Sequence, residues 1–262
     1  MLNFSKNNPI IAVLGDVHGI DWIVTESIRK TVEYCNDNNI QQPEVLVQVG
    51  DFWSYSHKQL KTISYTAKKN NMNVLFIPGN HEDWDKLDEW STSDITMIKD
   101  NVYYAPIGSS ALIYNKKVLF VGGAVSPDKN NRTPGYDWYP QESISMKQYD
   151  TIMNTIDNTI DIIISHDSPL DVSTPVQFIV TNDKINKECL YNRELLKNIT
   201  DKTQAELLIH GHYHNYYELT VDNNNYQKKV IGVNKEKKPG SLLLINTCLL
   251  YTSDAADEGL GV

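Results

Sequence analysis

Residues 10–19 read IIAVLGDVHG: five apolar residues that stop at Gly15-Asp16-Val17-His18-Gly19. The same design recurs along the chain. VLVQV at 45–49 stops at Gly50-Asp51, VLFI at 74–77 at Pro78-Gly79-Asn80-His81-Glu82, and residues 118–121 at Gly122-Gly123-Ala124. Residues 162–164 lead to Ser165-His166-Asp167, and residues 207–209 to His210-Gly211-His212-Tyr213-His214. Near-continuous apolar runs this short are strands covered on both faces. Between them, residues 21–38, 57–71, 143–158 and 186–199 carry apolar side chains at helical spacing, with Asp21 placed to cap the first. Strand–helix alternation predicts an α/β fold in which helices cover the sheets. Farther on, residues 216–221 and 226–233 around a turn at Asn223–Asn225 predict a β-hairpin, and residues 242–245 a last strand.

In α/β sheets ligands bind beyond the carboxyl ends of the strands, so these polar loops are placed to converge. Five of the seven histidines lie in them: His18, His81, His166, His212 and His214. Neutral imidazole is the commonest side-chain metal ligand, and carboxylates add the charge that holds a divalent ion. Singly, each signal has a bland counterpart. Asp16 and His18 could be a loop cap and a surface histidine, Gly50-Asp51 a turn, and His166 a satisfied core residue. Gly79-Asn80-His81-Glu82 has few structural reasons, and Gly211-His212-Tyr213-His214 sets two imidazoles on one side of an extended segment. Glu82 to Glu89 reads as a solvated helix start favoured by the helix dipole. His57 reads as solvent-facing, and His210 as structural or as support for a ligand.

The 262 residues carry 24 Lys+Arg against 33 Asp+Glu, a net charge of −9. This is the balance of a folded globule and argues against strong duplex nucleic-acid binding, which needs a basic face. No apolar run approaches the roughly 20 residues of a membrane span, and the first residues lack a secretory h-region. Three distant cysteines make neither a disulfide framework nor a zinc-finger spacing, which predicts a reducing, cytoplasmic setting.

Taken in order, D-x-H, G-D, G-N-H-E, S-H and G-H-x-H, from Asp16 to His214, resemble the calcineurin-like metallophosphoesterase superfamily, in a bacterial and phage branch. The resemblance implies a four-layer αββα sandwich of two mixed β-sheets flanked by helices, with the site at the C-terminal ends of strands. It implies two divalent ions, one held by Asp16, His18, Asp51 and His214, the other by Asp51, Asn80, His166 and His212. Asp51 would bridge them, as two dications about 3.5–4 Å apart need a shared anionic ligand. Nitrogen and oxygen donors together favour Mn, Fe or Zn over Ca. The implied reaction is phosphoester hydrolysis by a metal-bridging hydroxide, with His81 as general acid and with Asn80, His81 and Arg132 on the substrate. The substrate is a small phosphoester, a nucleotide or a phosphoprotein, and no membrane partner is expected.

Two departures bear on substrate. Gly50-Asp51-Phe52-Trp53-Ser54 and Pro78-Gly79-Asn80 lack the arginines that protein phosphatases carry beside these motifs. The stretch 122–142, GGAVSPDKNNRTPGYDWYPQE, resembles an insert of the bacterial and phage branch. Within it Arg132 is a phosphate fork or the partner of Asp128 or Glu142. Tyr136, Trp138 and Tyr139 stack a base or pack the loop. A phosphodiesterase or nuclease is the alternative enzyme, disfavoured by the −9 balance and only three arginines. A silent scaffold of the same fold is disfavoured by His81.

The last fifteen residues, CLLYTSDAADEGLGV, shift in composition, and residues 248–258 match an in-frame reading of a transposon-type sequencing adapter. Residues 1–247 are therefore expected to form a single metallophosphoesterase domain, cut before its native end. Residues 248–262 are expected to be a non-native tail unsupported by the core.

Overall fold

The computed structural model describes residues 2–4, 8–53, 55–91, 93–223, 226–248 and 251–255. In one sheet β2 (Ile10–Leu14), β3 (Val45–Gln48), β4 (Asn73–Phe76) and β6 (Val102–Tyr104) run parallel. Antiparallel strands flank them: β13 (Leu242–Asn246) and then β14 (Tyr251–Asp254) beside β2, and β5 (Thr96–Lys99) beside β6. The second sheet repeats the plan with β8 (Lys116–Val121), β9 (Ile162–Ser165), β10 (Leu207–His210) and β12 (Tyr226–Gly232) parallel. Here β7 (Ser110–Ile113) and β11 (Tyr217–Asn223) are the antiparallel flanks, and β1 (Leu2–Asn3) lies outside β7.

Side-chain alternation sorts each apolar run into two cores. Ile11, Val13, Val47 and Leu75 of the first sheet meet Phe120, Ile162, Ile164 and Ile209 of the second. The alternate residues Ala12, Leu14, Leu46 and Phe76 face the other way, toward Val24, Ile28 and Ile63. Those belong to α1 (Asp21–Asp37) and α2 (His57–Lys69). On the second sheet Leu119, Ile163 and Leu208 lie with Ile152 of α4 (Met146–Thr155) and Leu195, Leu196 and Ile199 of α5 (Asp183–Thr203). The result is the expected four-layer αββα sandwich, with one short helix, α3 (Trp84–Trp90), after β4. Both faces of each sheet are covered, which is why the strands read as unbroken apolar runs.

The helix ends differ from expectation where capping decides them. Asp21 is the first helical residue, not the cap; the N-cap is Ile20, with no side-chain bond. Reciprocal side-chain and backbone bonds of Ser56 with Gln59 and of Ser145 with Gln148 start α2 and α4, so α4 begins at Met146 rather than at 143. Asn182 caps α5 earlier than the apolar spacing indicated. The hairpin forms with Tyr217 opposite Gly232, and Asn224-Asn225 at its turn lie outside the described residues.

Residues 251–254 pair with β13, Asp254 accepts a bond from Gly240 N at 2.6 Å, and Ala255 is buried. This part of the chain is thus supported by the core, contrary to expectation. The physical reason is that an edge strand offers main-chain groups that pair with almost any extended segment. Residues 249–250 and 256–262 of the tail lie outside the described residues. Among the described residues no helix is long and apolar enough to cross a membrane.

Candidate metal centre

Asp51 follows β3 of the first sheet and His166 follows β9 of the second, and Asp51 Oδ1 lies 3.5 Å from His166 Nε2. The carboxyl ends of both parallel sets therefore meet at one place. Asp16 and His18 come from the loop after β2, Asn80 and His81 from the loop after β4, and His212 and His214 from the loop after β10.

Glycines let these loops approach. A Cβ on Gly50 would stand 2.2 Å from His166 Nδ1, one on Gly79 2.1 Å from Asp51 Oδ1, and one on Gly211 2.3 Å from Asp16 Oδ1. Backbone in the left-handed region aims several of the side chains. His18 (φ 46°), Asp51 (φ 58°), Trp53 (φ 37°), His212 (φ 67°) and His214 (φ 51°) all adopt it, at a cost of order 1–3 kcal/mol each. In the middle of the VLVQV run, buried Gln48 donates to Gly15 O and Gly50 O and accepts from Gly50 N, which ties the first two loops together.

The residues gather into two groups on either side of Asp51, each a candidate half-site. In the outer one, single ligand atoms of Asp16, His18, Asp51 and His214 lie within 4.8 Å of one another. His214 Nε2 is 3.0 Å from Asp16 Oδ2, and His18 Nε2 is 3.5 Å from Asp51 Oδ2. In the deep one, His166 Nε2 lies 3.1 Å from Asn80 Oδ1, and the rings of His166 and His212 are 5.0 Å apart. The donor set fits a cation. His166 Nδ1 lies 2.8 Å from Val49 O, which in the neutral ring leaves Nε2 with a lone pair that faces the lone pairs of Asn80 Oδ1 and of the Asp51 carboxylate. Positive charge is needed between these atoms, whether a proton on Nε2 or a cation, and the donor set suits either.

The electrostatics show an excess of negative charge that calls for a cation: against the effect of burial, Asp51 and Asp16 raise the pKa of His166. Burial opposes ionisation of Asp51, but the imidazoles of His166, His18 and His81 override it and hold the carboxyl well below its usual range. Burial also acts against a proton on His18, and Asp51, Asp16 and Glu236 outweigh it, raising the group to about 9. Burial, reinforced by His166, pushes His212 well down, the state in which it offers a lone pair.

His81 stands beside the pair, with its N–H donating to Asp51 Oδ1 at 2.8 Å and its ring 5.7 Å from that of His18. Arg132 reaches it from the 122–142 segment, with Nη1 2.8 Å from Nδ1 and Nη2 3.2 Å from Nε2. A neutral imidazole can accept only one of these. Burial and the guanidinium lower the pKa of His81, against the pull of Asp51. Arg132 also grips Asp128 through Nε at 2.8 Å and Nη2 at 2.9 Å, so Asp128, not Glu142, is its carboxylate partner. Tyr139 is buried and Trp138 packs under the Lys129 ammonium, whereas Tyr136 is exposed.

Two supporting carboxylates escaped the sequence reading. Glu236 Oε2, from the loop after β12, lies 3.2 Å from His18 Nδ1 and fixes which nitrogen His18 turns inward. Its setting among lysines gave no signal. Glu82, expected in a solvated helix start, is instead buried. Its carboxylate accepts from Phe52 N (2.9 Å), Trp53 N (3.0 Å), Gly79 N (3.0 Å) and the Tyr55 hydroxyl, joining the Asp51 and Asn80 loops. Burial and the nearby Asp51 raise Glu82 to about 7 against those bonds.

Residues 10–216 match the family model of the calcineurin-like phosphoesterases. The chain belongs to that family, and it is a phosphoester hydrolase with a cluster of possible metal ligands. The crystal structure of TT1561 from Thermus thermophilus is similar, with a TM-score of 0.57 at 9% identity over 94% of this chain and 97% of that one. At that identity the likeness is one of fold. A structure described as a novel archaeal phosphodiesterase superposes with a TM-score of 0.41 at 16% identity, over 94% of this chain and 98% of that one. No curated protein sequence matches the chain.

Proposed function

We propose that the chain hydrolyses phosphate esters with two divalent ions, one held by Asp16, His18, Asp51 and His214 and the other by Asp51, Asn80, His166 and His212. The observation that carries this reading is the pair of half-sites meeting at buried Asp51, with nitrogen and oxygen donor atoms gathered on both sides of it. When bound, the ions would supply Lewis acidity to the phosphoryl oxygens and an acidified water as nucleophile. The mixed donors favour Mn, Fe or Zn.

The chain's own residues do the rest. Asp51 supplies the negative charge between the two cation positions. His81 stands outside the ligand sets, where it can protonate the leaving oxygen. With the Arg132 fork on its ring nitrogens the imidazole stays neutral. Transfer of that fork to phosphoryl oxygens would free a ring nitrogen of His81 to hold the proton, which makes Arg132 a substrate contact as well. The substrate is a phosphoester of a small molecule, nucleotide or phosphoprotein, met in the cytoplasm. The catalytic domain spans residues 1–247, and residues 248–262 are an adapter-derived end.

The test is metal removal and return. Chelated protein should lose hydrolysis of p-nitrophenyl phosphate or of its bis-ester and regain it as Mn²⁺ is titrated to two equivalents. Unchanged turnover after complete chelation would overturn the reading, and the ratio of the two rates assigns mono- or diesterase preference.

A further inference from the structure

Ser126 and Glu142, in the segment that carries Arg132, are 0% and 2% exposed, and the mechanism above gives neither of them work. Both oxygens of Glu142 are taken by one residue: Ser126 N donates to Oε1 at 2.8 Å and Ser126 Oγ to Oε2 at 2.6 Å. That length is typical of a hydroxyl on a carboxylate. A hydroxyl has one proton. With it committed to Glu142, Ser126 Oγ offers only lone pairs to its other neighbour. It therefore selects the NH₂ end of the Asn80 amide, and Asn80 Nδ2 lies 2.9 Å away. Asn80 Oδ1 is thereby turned to His166 Nε2.

The two ends of an asparagine amide have nearly the same shape, so packing alone does not choose between them. Hydrogen bonding does. An NH₂ turned toward a cation would present hydrogens and no lone pair. We infer that Ser126 and Glu142 are positioning residues that set the polarity of the Asn80 amide, so that oxygen and not nitrogen faces the deep half-site. The inference rests on the two-ion reading above.

The surroundings brace this relay. Gly123 N donates to Pro78 O at 2.7 Å, which docks the segment on the Asn80 loop, and a Cβ on Gly122 would meet Pro78 O at 2.5 Å. Beyond Glu142, the buried Asn192 of α5 accepts from Ile144 N at 3.0 Å and donates to Asp167 Oδ2 at 2.8 Å. Both ends of the relay are therefore fixed to the framework of the site.

The experiment is a Mn²⁺ titration by calorimetry of chelator-stripped wild type, S126A, E142Q, N80D and N80D/E142Q, with melting temperatures. In E142Q the introduced NH₂ donates to Ser126 Oγ, whose proton then turns to residue 80 and favours the flipped amide. S126A and E142Q should weaken one of two ions by roughly 10–100-fold, the usual cost of losing a group that orients a ligand, and leave the other unchanged. In N80D the sign should reverse. A carboxylate there welcomes the redirected proton, so N80D/E142Q should bind the deep ion more tightly than N80D. Unchanged affinities in S126A and E142Q would overturn the inference. So would an E142Q loss of equal size and sign in both backgrounds with a lowered melting temperature, since that is packing alone. Fewer than two ions in wild type would instead defeat the two-ion reading, and the inference with it.

Discussion

His18 and His214, in the outer half-site, keep 27% and 31% of their side chains exposed, whereas Asn80, His166 and His212 in the deep one are at 6% or less. Their bracing differs too. His166 is held by the Val49 carbonyl and Asn80 by Ser126, both inside the fold. His18 is held by Glu236 from a surface loop, and His214 by the ligand Asp16 itself. The comparison teaches that one position is closed off from solvent, whereas the other, though its carboxylates Asp16 and Asp51 are buried, leaves its two histidines partly open to it. Ions should exchange faster at the outer position, where fewer buried groups must move.

The largest effect should come from the group the two halves share. Asp51→Asn removes the charge between them, and purified protein should lose both ions and most turnover. Retention of two ions at near-normal rate would break the comparison at its root. Next in size is His81→Ala, which belongs to neither half. It should keep both ions and cost roughly 10²–10⁴-fold on esters with basic leaving groups. The loss should be far smaller on p-nitrophenyl phosphate, and equal losses on both would reassign His81 to phosphoryl binding. The halves can then be broken one at a time. Gly50→Ala drives a Cβ to 2.2 Å from His166 Nδ1 and should empty the deep position, while Gly211→Ala meets Asp16 Oδ1 at 2.3 Å and should empty the outer one. Metal content after dialysis reads both, and identical patterns in the two variants would mean that the halves are not separable. The smallest effect should follow Glu236→Gln, a weakening of the outer ion alone by about tenfold in a metal titration.

The same contrast explains what could be read from the chain. The parallel strands were legible because burial on both faces writes an apolar run, and the candidate ligand positions because each run stops at a polar loop. Asp16, His18, Asp51, Asn80, His166, His212 and His214 were marked as candidates that way, their roles as ligands came from the family resemblance of the whole motif set, and the structure brings the seven residues together. Groups that hold those side chains from behind carry no such mark. Glu236 sits 218 positions from His18 in a lysine-rich loop. Glu82 looks like the first of several solvated acids, and only the fold shows three backbone N–H groups converging on it. The strands β1, β5, β6 and β7 were missed because they are short and partly exposed, without a long apolar run. The end strand β14 was missed because edge pairing depends on main chain rather than on side-chain pattern.

The left-handed backbone of the centre has a consequence for anyone engineering this protein for heat resistance. Glycine relieves a positive φ at little steric cost. Trp53, 42% exposed and not a ligand, is therefore where a screen for higher melting temperature should find its first gain. Continued selection would move on to His18, Asp51, His212 and His214, whose backbones carry the same strain. Each step would yield a hardier protein with fewer of the proposed ligands. Thermal tolerance is thus a misleading guide to fitness in these loops, and a stabilisation campaign should hold those four positions fixed from the start.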